Sequence, residues 1–181
     1  ENRFTQNDWG MRLRTNRAEV FAKTAFNLPD ENFVGIQYKY IYQSQNGYIG
    51  RRDYTGLEHF GYLNFIYQKE LNEKEDLLKI GASLLADHVN EVLDTFIRKR
   101  TEIVPGIFTE ASFNFGREKK VVMITGLRID YHNLFGTFIS PRFNLKWNIL
   151  YDFSLRIAAG RGYRTPTLFA ENYGLLSSSR I

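Results

Sequence analysis

The chain has 181 residues, enough for one domain, and its 24 Lys and Arg against 20 Asp and Glu leave a net charge of only +4, spread along the sequence with no basic stripe interleaved with stacking aromatics, which excludes a nucleic-acid-binding module. It has no cysteine, which removes disulfide frameworks, thiolate metal sites and cysteine nucleophiles. No unbroken stretch of about 18 apolar residues occurs, so it is not a helical membrane protein, while a mean hydropathy of -0.38 is compatible with a barrel whose strands wet every second side chain.

In chain order, eight runs alternate between apolar and polar residues, the period of a strand whose successive side chains point to opposite faces. In the first, Val20, Ala22, Thr24 and Phe26 oppose Glu19 and Lys23, with Phe21 on the polar side. The second is the cleanest, with Ile36, Tyr38, Tyr40 and Tyr42 against Gln37, Lys39 and Gln43. In the third, Leu63, Phe65 and Tyr67 face away from Asn64 and Gln68, blurred by Phe60, Tyr62 and Ile66. The fourth sets Leu78, Ile80, Ala82, Leu84 and Ala86 against Lys79, Gly81, Ser83 and Asp87. The apolar residues of 70–100 also fit a helix, yet Gly81, Ser83 and the period of two favour a strand over 77–87 followed by a loop that holds a helical turn. The fifth opposes Ile107, Thr109, Ala111, Phe113 and Phe115 to Glu110, Ser112 and Asn114, and the sixth opposes Val121 through Tyr131 in steps of two to Arg128 and Asp130. The seventh has Pro141, Phe143, Leu145 and Trp147 against Arg142, Asn144, Lys146 and Asn148, and the eighth Phe153, Leu155, Ile157 and Ala159 against Ser154, Arg156 and Gly160.

Tight polar turns are expected at 29–32, 72–76, 117–120 and 148–152, and long loops at 44–56, 88–104, 132–138 and from Thr165 onward. Runs of about 9 to 13 residues exceed the 5 or 6 usual in soluble sheets and suit strands that cross a bilayer at a tilt. Together these features predict an all-β fold, an antiparallel up-and-down transmembrane β-barrel in which the long loops lie on the outside. Its 28 aromatic residues, many at run ends such as Tyr42, Tyr67, Tyr131, Trp147 and Tyr151, fit interfacial girdles. The alternatives from pattern alone are a soluble β-sandwich, for example a carbohydrate-binding module, and a porin or adhesin barrel without energy coupling. Neither Glu1 nor Ile181 reads as a natural end of a secreted barrel, so residues 1–181 are expected to form part of a larger barrel domain.

No catalytic, metal or cofactor constellation stands out. His59, His88 and His132 have no paired metal-ligand spacing, and Gly160, Arg161 and Gly162 end a strand with no following helix to cradle a phosphate. More informative is the polar parity of the last strands: Arg128, Asp130, Arg142, Lys146 and Arg156 are expected side by side on the barrel interior, with opposite charges meeting across the ladder. Basic and aromatic loop residues, Tyr48, Arg51, Arg52, Tyr54, His132 and Arg164, are the candidate ligand contacts.

The stretch Gly126-Leu-Arg-Ile-Asp-Tyr-His132, then Gly136-Thr-Phe-Ile-Ser-Pro-Arg142, then Leu155-Arg-Ile-Ala-Ala-Gly-Arg-Gly-Tyr-Arg-Thr-Pro166 resembles the barrel of TonB-dependent outer-membrane receptors, and 168–180 resembles a version common in Bacteroidetes. Gly160, Gly162, Arg164 and Pro166 carry the motif. The resemblance implies a barrel of typically 22 strands in the bacterial outer membrane, closed around an N-terminal plug domain and taking up a scarce nutrient such as a ferric siderophore or another metal chelate, with no enzymatic activity and no cofactor. The partners it implies are the lipid bilayer, the plug, the inner-membrane TonB complex acting through an N-terminal box, a surface lipoprotein and a small-molecule ligand. Plug, box and terminal strand do not occur in these residues, and Arg161, Arg164 and Pro166 are expected to shape the strand exit and to bond the plug.

Overall fold

The computed structural model describes residues 10–29, 32–50, 52–72, 75–116 and 120–165. They form one eight-stranded antiparallel sheet in which every strand pairs with its sequence neighbours, in the order β1 (Met11–Asn27), β2 (Phe33–Ile49), β3 (Arg52–Glu70), β4 (Leu77–Leu93), β5 (Phe96–Phe115), β6 (Val121–His132), β7 (Gly136–Leu150) and β8 (Phe153–Gly160). The registers place all eight apolar parities of the sequence on a single face. Tyr38 pairs with Leu63, Leu63 with Leu84, Leu127 with Pro141 and Phe143 with Ala159.

That face has no cover. Tyr38 is 43% exposed, Leu127 42% and Phe143 36%, and the buried hydrophobic residues are only Ile49, Tyr54, Leu93 and Val104 among the described residues. A soluble sandwich would bury this apolar face against a second sheet, so that reading fails. On the opposite face Asn64, Ser83, Glu102, Asp130 and His132 are all buried, as the crowded, concave side of a curved sheet requires. Phe21, Phe60, Tyr62 and Ile66, which blur the sequence pattern, belong to this inward face.

The pairing is staggered. Phe26, next to the end of β1, connects through Val34, Tyr67, Ile80 and Thr109 to Leu127 in the middle of β6. Such a stagger tilts the strands against the axis of a closed barrel, and the apolar stretch then keeps one height as it passes from strand to strand.

The expected contrast between tight and long connections is corrected. Strand pairing continues to Ile49 and Arg52 and to Leu93 and Phe96, so 44–56 and 88–104 are mostly strand, and the expected helical turn after His88 is extended backbone. Only 133–135 separate β6 from β7. The asymmetry between the two ends persists in another form, because β4 ends its outward apolar run at Ala86 but stays paired to Leu93. The hairpins therefore project beyond the apolar band at that end. Their tips are tied down locally. Asp94, at φ 53°, accepts from the Asp53 amide at 3.1 Å through its carboxylate and donates its own amide to the Asp53 carbonyl at 2.9 Å. Asn133 continues the edge of β5 past the end of β6: its carboxamide oxygen accepts from Ile103 N at 3.0 Å and its Nδ2 donates to Thr101 O at 2.9 Å. At the opposite end the Asp76 carboxylate accepts from Asn114 N at 2.6 Å and from Asn72 Nδ2 at 2.9 Å, stapling the β3–β4 turn to the end of β5.

Candidate functional site

Polar side chains of β3 to β7 build the inward face into a wall. Arg128 on β6 holds Asp130, two residues on and on the same face, with a fork of two bonds, Nε to Oδ2 at 2.7 Å and a terminal nitrogen to Oδ1 at 2.6 Å. The same terminal nitrogen donates to Ser83 Oγ on β4 at 2.7 Å, and the guanidinium lies 5.8 Å from the Phe108 ring centroid on the intervening strand. A planar donor fork serves this better than an ammonium would, since one head group spans three strands.

Two glycines make that reach possible. A Cβ at Gly106, which pairs with Asp130, would stand 2.0 Å from Asp130 Oδ1. Gly126 pairs with Arg142, and the Arg142 side chain lies over it, a Cβ there meeting Arg142 Nε at 3.1 Å. With β6 bare at that point, Arg142 of β7 crosses it to bond Glu110 of β5, whose other oxygen takes Lys79 of β4 at 3.2 Å. The run Lys79, Glu110, Arg142 alternates in charge over four strands. Between it and the Arg128 cluster lies a hollow of about 310 Å³ bordered by Tyr62, Asn64, Phe108, Arg128, Arg142 and Arg161.

Towards the projecting hairpins a second cluster centres on Glu102. Arg100 Nε lies 3.0 Å from one carboxylate oxygen, and His132 Nε2 at 3.4 Å and Thr165 Oγ1 at 3.5 Å share the other. His132 Nδ1 accepts from Leu134 N at 3.1 Å, which places the proton of the neutral ring on Nε2, facing Glu102. After β8 the chain turns back across this wall. Arg161 N donates to Pro141 O at 3.0 Å, and Tyr163 stacks on Phe138 with centroids 4.1 Å apart and planes 7° apart. Burial against the wall, then the negative charge of Asp130, raise the Tyr163 hydroxyl above the usual phenol pKa.

The sequence-derived candidates divide as follows. Arg128, Asp130, Arg142, Lys146 and Arg156 all fall on the inward parity. The expectation that opposite charges meet across the ladder holds for Arg142 only by way of the bare Gly126, and Arg128 finds its carboxylate within its own strand. Lys146 is set opposite another cation, Arg156. Of the ligand-contact candidates, Tyr48 and Tyr54 are strand residues, Tyr48 on the outward parity and Tyr54 inward and buried, its hydroxyl donating to Glu91 Oε1 at 3.1 Å. Arg52 sits at the hairpin tip, Nε 4.0 Å from Asp94 Oδ2, and His132 is buried in the wall. Gly162 and Arg164 are exposed beyond β8 and Gly160 is exposed as its last residue, while Arg51 and Pro166 lie outside the described residues. Glu102 lies in the stretch read as a loop and was missed for that reason; a parity continued beyond Asp87 finds it. Among the described residues no group of three His, Cys, Asp or Glu is placed to hold a metal ion.

The family model described as "TonB dependent receptor-like, beta-barrel" matches residues 2–178, nearly the whole chain. The chain belongs to the TonB-dependent receptor β-barrel family. It is thus part of a barrel of the bacterial outer membrane. Among solved structures, the siderophore receptor PirA from Pseudomonas aeruginosa superposes with a TM-score of 0.71 at 17% identity, over 87% of this chain and 28% of that one. The alcaligin outer-membrane receptor FauA from Bordetella pertussis gives 0.59 at 12% identity, over 82% and 29%, and the ferric citrate transporter FecA 0.59 at 12%, over 83% and 28%. At such identities the likeness is one of fold, and this TonB-dependent receptor chain spans under a third of each of these relatives. No curated protein matches the chain in sequence at a significant level.

Proposed function

We propose that residues 1–181 are part of the barrel domain of a receptor that takes up a scarce nutrient, a ferric siderophore or another metal chelate, and that they act as wall and projecting hairpin rather than as a catalyst. The observation that carries this reading is the inward wall itself, because charges linked across four strands serve no purpose on a surface facing lipid, where each would cost about 2 to 4 kcal/mol at the midplane. The solved receptors of the same fold bear names of siderophore and ferric citrate receptors, which supports an iron chelate as cargo. In this reading Arg128, Asp130, Arg142, Lys146 and Arg156 face the plug and the interior. Tyr48, Arg51, Arg52, Tyr54, His132 and Arg164 are the ligand side, with half-buried Arg52 at the hairpin tip and exposed Arg164 suited to touch an anionic chelate directly and buried Tyr54 and His132 suited to hold the hairpins that present them. Energy would come from the inner-membrane TonB complex through the N-terminal box, and a surface lipoprotein would deliver or cap the ligand.

The test is uptake of a panel of radiolabelled ferric chelates by cells that carry the full-length receptor, with and without TonB. TonB-dependent accumulation of one chelate, reduced several-fold in Arg52→Ala and Arg164→Ala, supports the reading. Entry that is independent of TonB and scales passively with concentration means a porin instead.

A further inference from the structure

Spacing along the chain pairs no two histidines, but the register of the sheet does. His59 of β3 stands directly opposite His88 of β4, in an outward row that runs from Tyr42 of β2 through both histidines to Thr101 of β5. Both are accessible, His88 exposed and His59 half-buried, and His88 follows Ala86, where the outward apolar run of β4 ends. Each ring is held by its Nδ1, and each from its own flank. His59 Nδ1 lies 2.8 Å from the Tyr40 hydroxyl on β2, with the Tyr42 ring edge-on to it at 5.3 Å between centroids. His88 Nδ1 lies 2.8 Å from Thr101 Oγ1 on β5. Among the described residues neither Nε2 has a hydrogen-bond partner.

The two nitrogens of an imidazole lie on opposite sides of the ring. A ring on β3 whose Nδ1 is drawn to β2, and a ring on β4 whose Nδ1 is drawn to β5, therefore turn their Nε2 atoms towards the gap between β3 and β4. We infer that His59 and His88 together bind a divalent transition-metal ion that favours imidazole, Cu2+ or Zn2+, through these two Nε2 atoms. Side chains directly opposite on antiparallel strands have Cβ atoms about 5 Å apart, and two nitrogens bound to one ion stand about 3 Å apart, a separation that rings so rooted can reach. A hydroxyl accepts a hydrogen bond as readily as it donates one. Tyr40 and Thr101 can thus take the Nδ1 protons while each Nε2 keeps its lone pair, the way an outer partner orients a metal-binding histidine. Two imidazoles select copper and zinc over calcium and magnesium, and with only two protein ligands water completes the coordination. The inference rests on the strand register and not on the cargo.

The full-length receptor, purified in detergent and stripped with a chelator, is titrated with Cu2+ and, separately, with Zn2+. One Cu2+ per receptor is expected to show the electron spin echo modulation of two coordinated imidazoles and to bind more tightly than Zn2+. H59Q and H88Q are each expected to weaken that site at least about tenfold and to abolish the two-imidazole signature, and Thr101→Val, which removes only the anchor of His88, to weaken it several-fold. Zn2+ is expected to raise the unfolding temperature of the wild type and to leave that of H59Q/H88Q nearly unchanged, because the ion binds only where the folded strands hold both rings together. A wild-type signal without a second imidazole, an affinity unchanged in either single variant, or an equal Zn2+ shift in the double variant would each overturn the inference. The first of these is read on the unaltered chain and does not depend on how the variants fold.

Discussion

Arg128 and Arg142 reach across the sheet because the residues beneath them have no side chains. At Gly106 the requirement is severe: the Asp130 carboxylate occupies the place of a Cβ, at 2.0 Å, and the Arg128 guanidinium is within 2.9 Å of it. Gly106→Ala must therefore move Asp130 and loosen its fork with Arg128, and a loss of about 1 to 3 kcal/mol in the unfolding free energy of the full-length receptor, followed by urea titration in phospholipid bilayers, is expected. Gly162→Ala, where nothing lies within 4 Å of the added methyl, is expected to change it by less than about 0.5 kcal/mol. Equal losses at both positions would mean that the packing over Gly106 is not what the glycine is for. At this scale the sequence was only partly legible. Parity alone put Arg128, Asp130 and Arg142 on one face, but it could not reveal that Arg142 finds Glu110 two strands away, because that partnership depends on a register and on an empty position.

A strand in this protein is one apolar edge, one polar edge and an extension beyond the membrane. An arginine placed at Leu63, in the middle of the outward run of β3, has only lipid around it and is expected to destabilise the folded receptor by about 2 to 4 kcal/mol, while Gln37→Arg, on the inward face opposite Asn64, is expected to cost less than about 1 kcal/mol. The same unfolding titration reads both, and comparable costs on the two faces would deny that they meet different solvents. The eight runs, their faces and their neighbour order were visible in the sequence because alternation with a period of two survives even where Phe60 and Tyr62 interrupt it. Where the strands stop was not visible. Beyond Ala86 and before Ile103 both faces mix polar and apolar residues, His88, Asn90, Val92, Ile97, Lys99 and Thr101 outward and Val89, Glu91, Leu93, Arg98 and Arg100 inward, so the contrast that marks a strand in a bilayer vanishes although the ladder of hydrogen bonds continues. A stretch of mixed polarity outside the membrane reads as a loop for this reason, and Glu102 was lost with it.

Taken whole, the sheet is open. β1 and β8 each pair on one side only, and β8 is exposed along its full length. Unpaired edges of long strands seek partners, so the 181-residue chain by itself is expected to require detergent and to elute as a mixture of oligomers in size-exclusion chromatography with light scattering. A monodisperse monomer in detergent-free buffer would show that the apolar face has found a cover within the chain. Family membership explains the geometry, since eight strands of a larger barrel have the stagger and curvature of the whole but not its closure. The chain has no cysteine of its own, which makes a single introduced one a clean reporter. Nitroxide labels placed singly at Leu127, Ser140, Phe143, Asn144 and Leu145 of the bilayer-embedded receptor, read by electron paramagnetic resonance for collision with dissolved oxygen, test the orientation of the faces most directly. High oxygen accessibility at Leu127, Phe143 and Leu145 with low values at Ser140 and Asn144 is predicted. A profile without that alternation, or with its phase reversed, would contradict the assignment of the apolar parity to lipid and the charged parity to the interior.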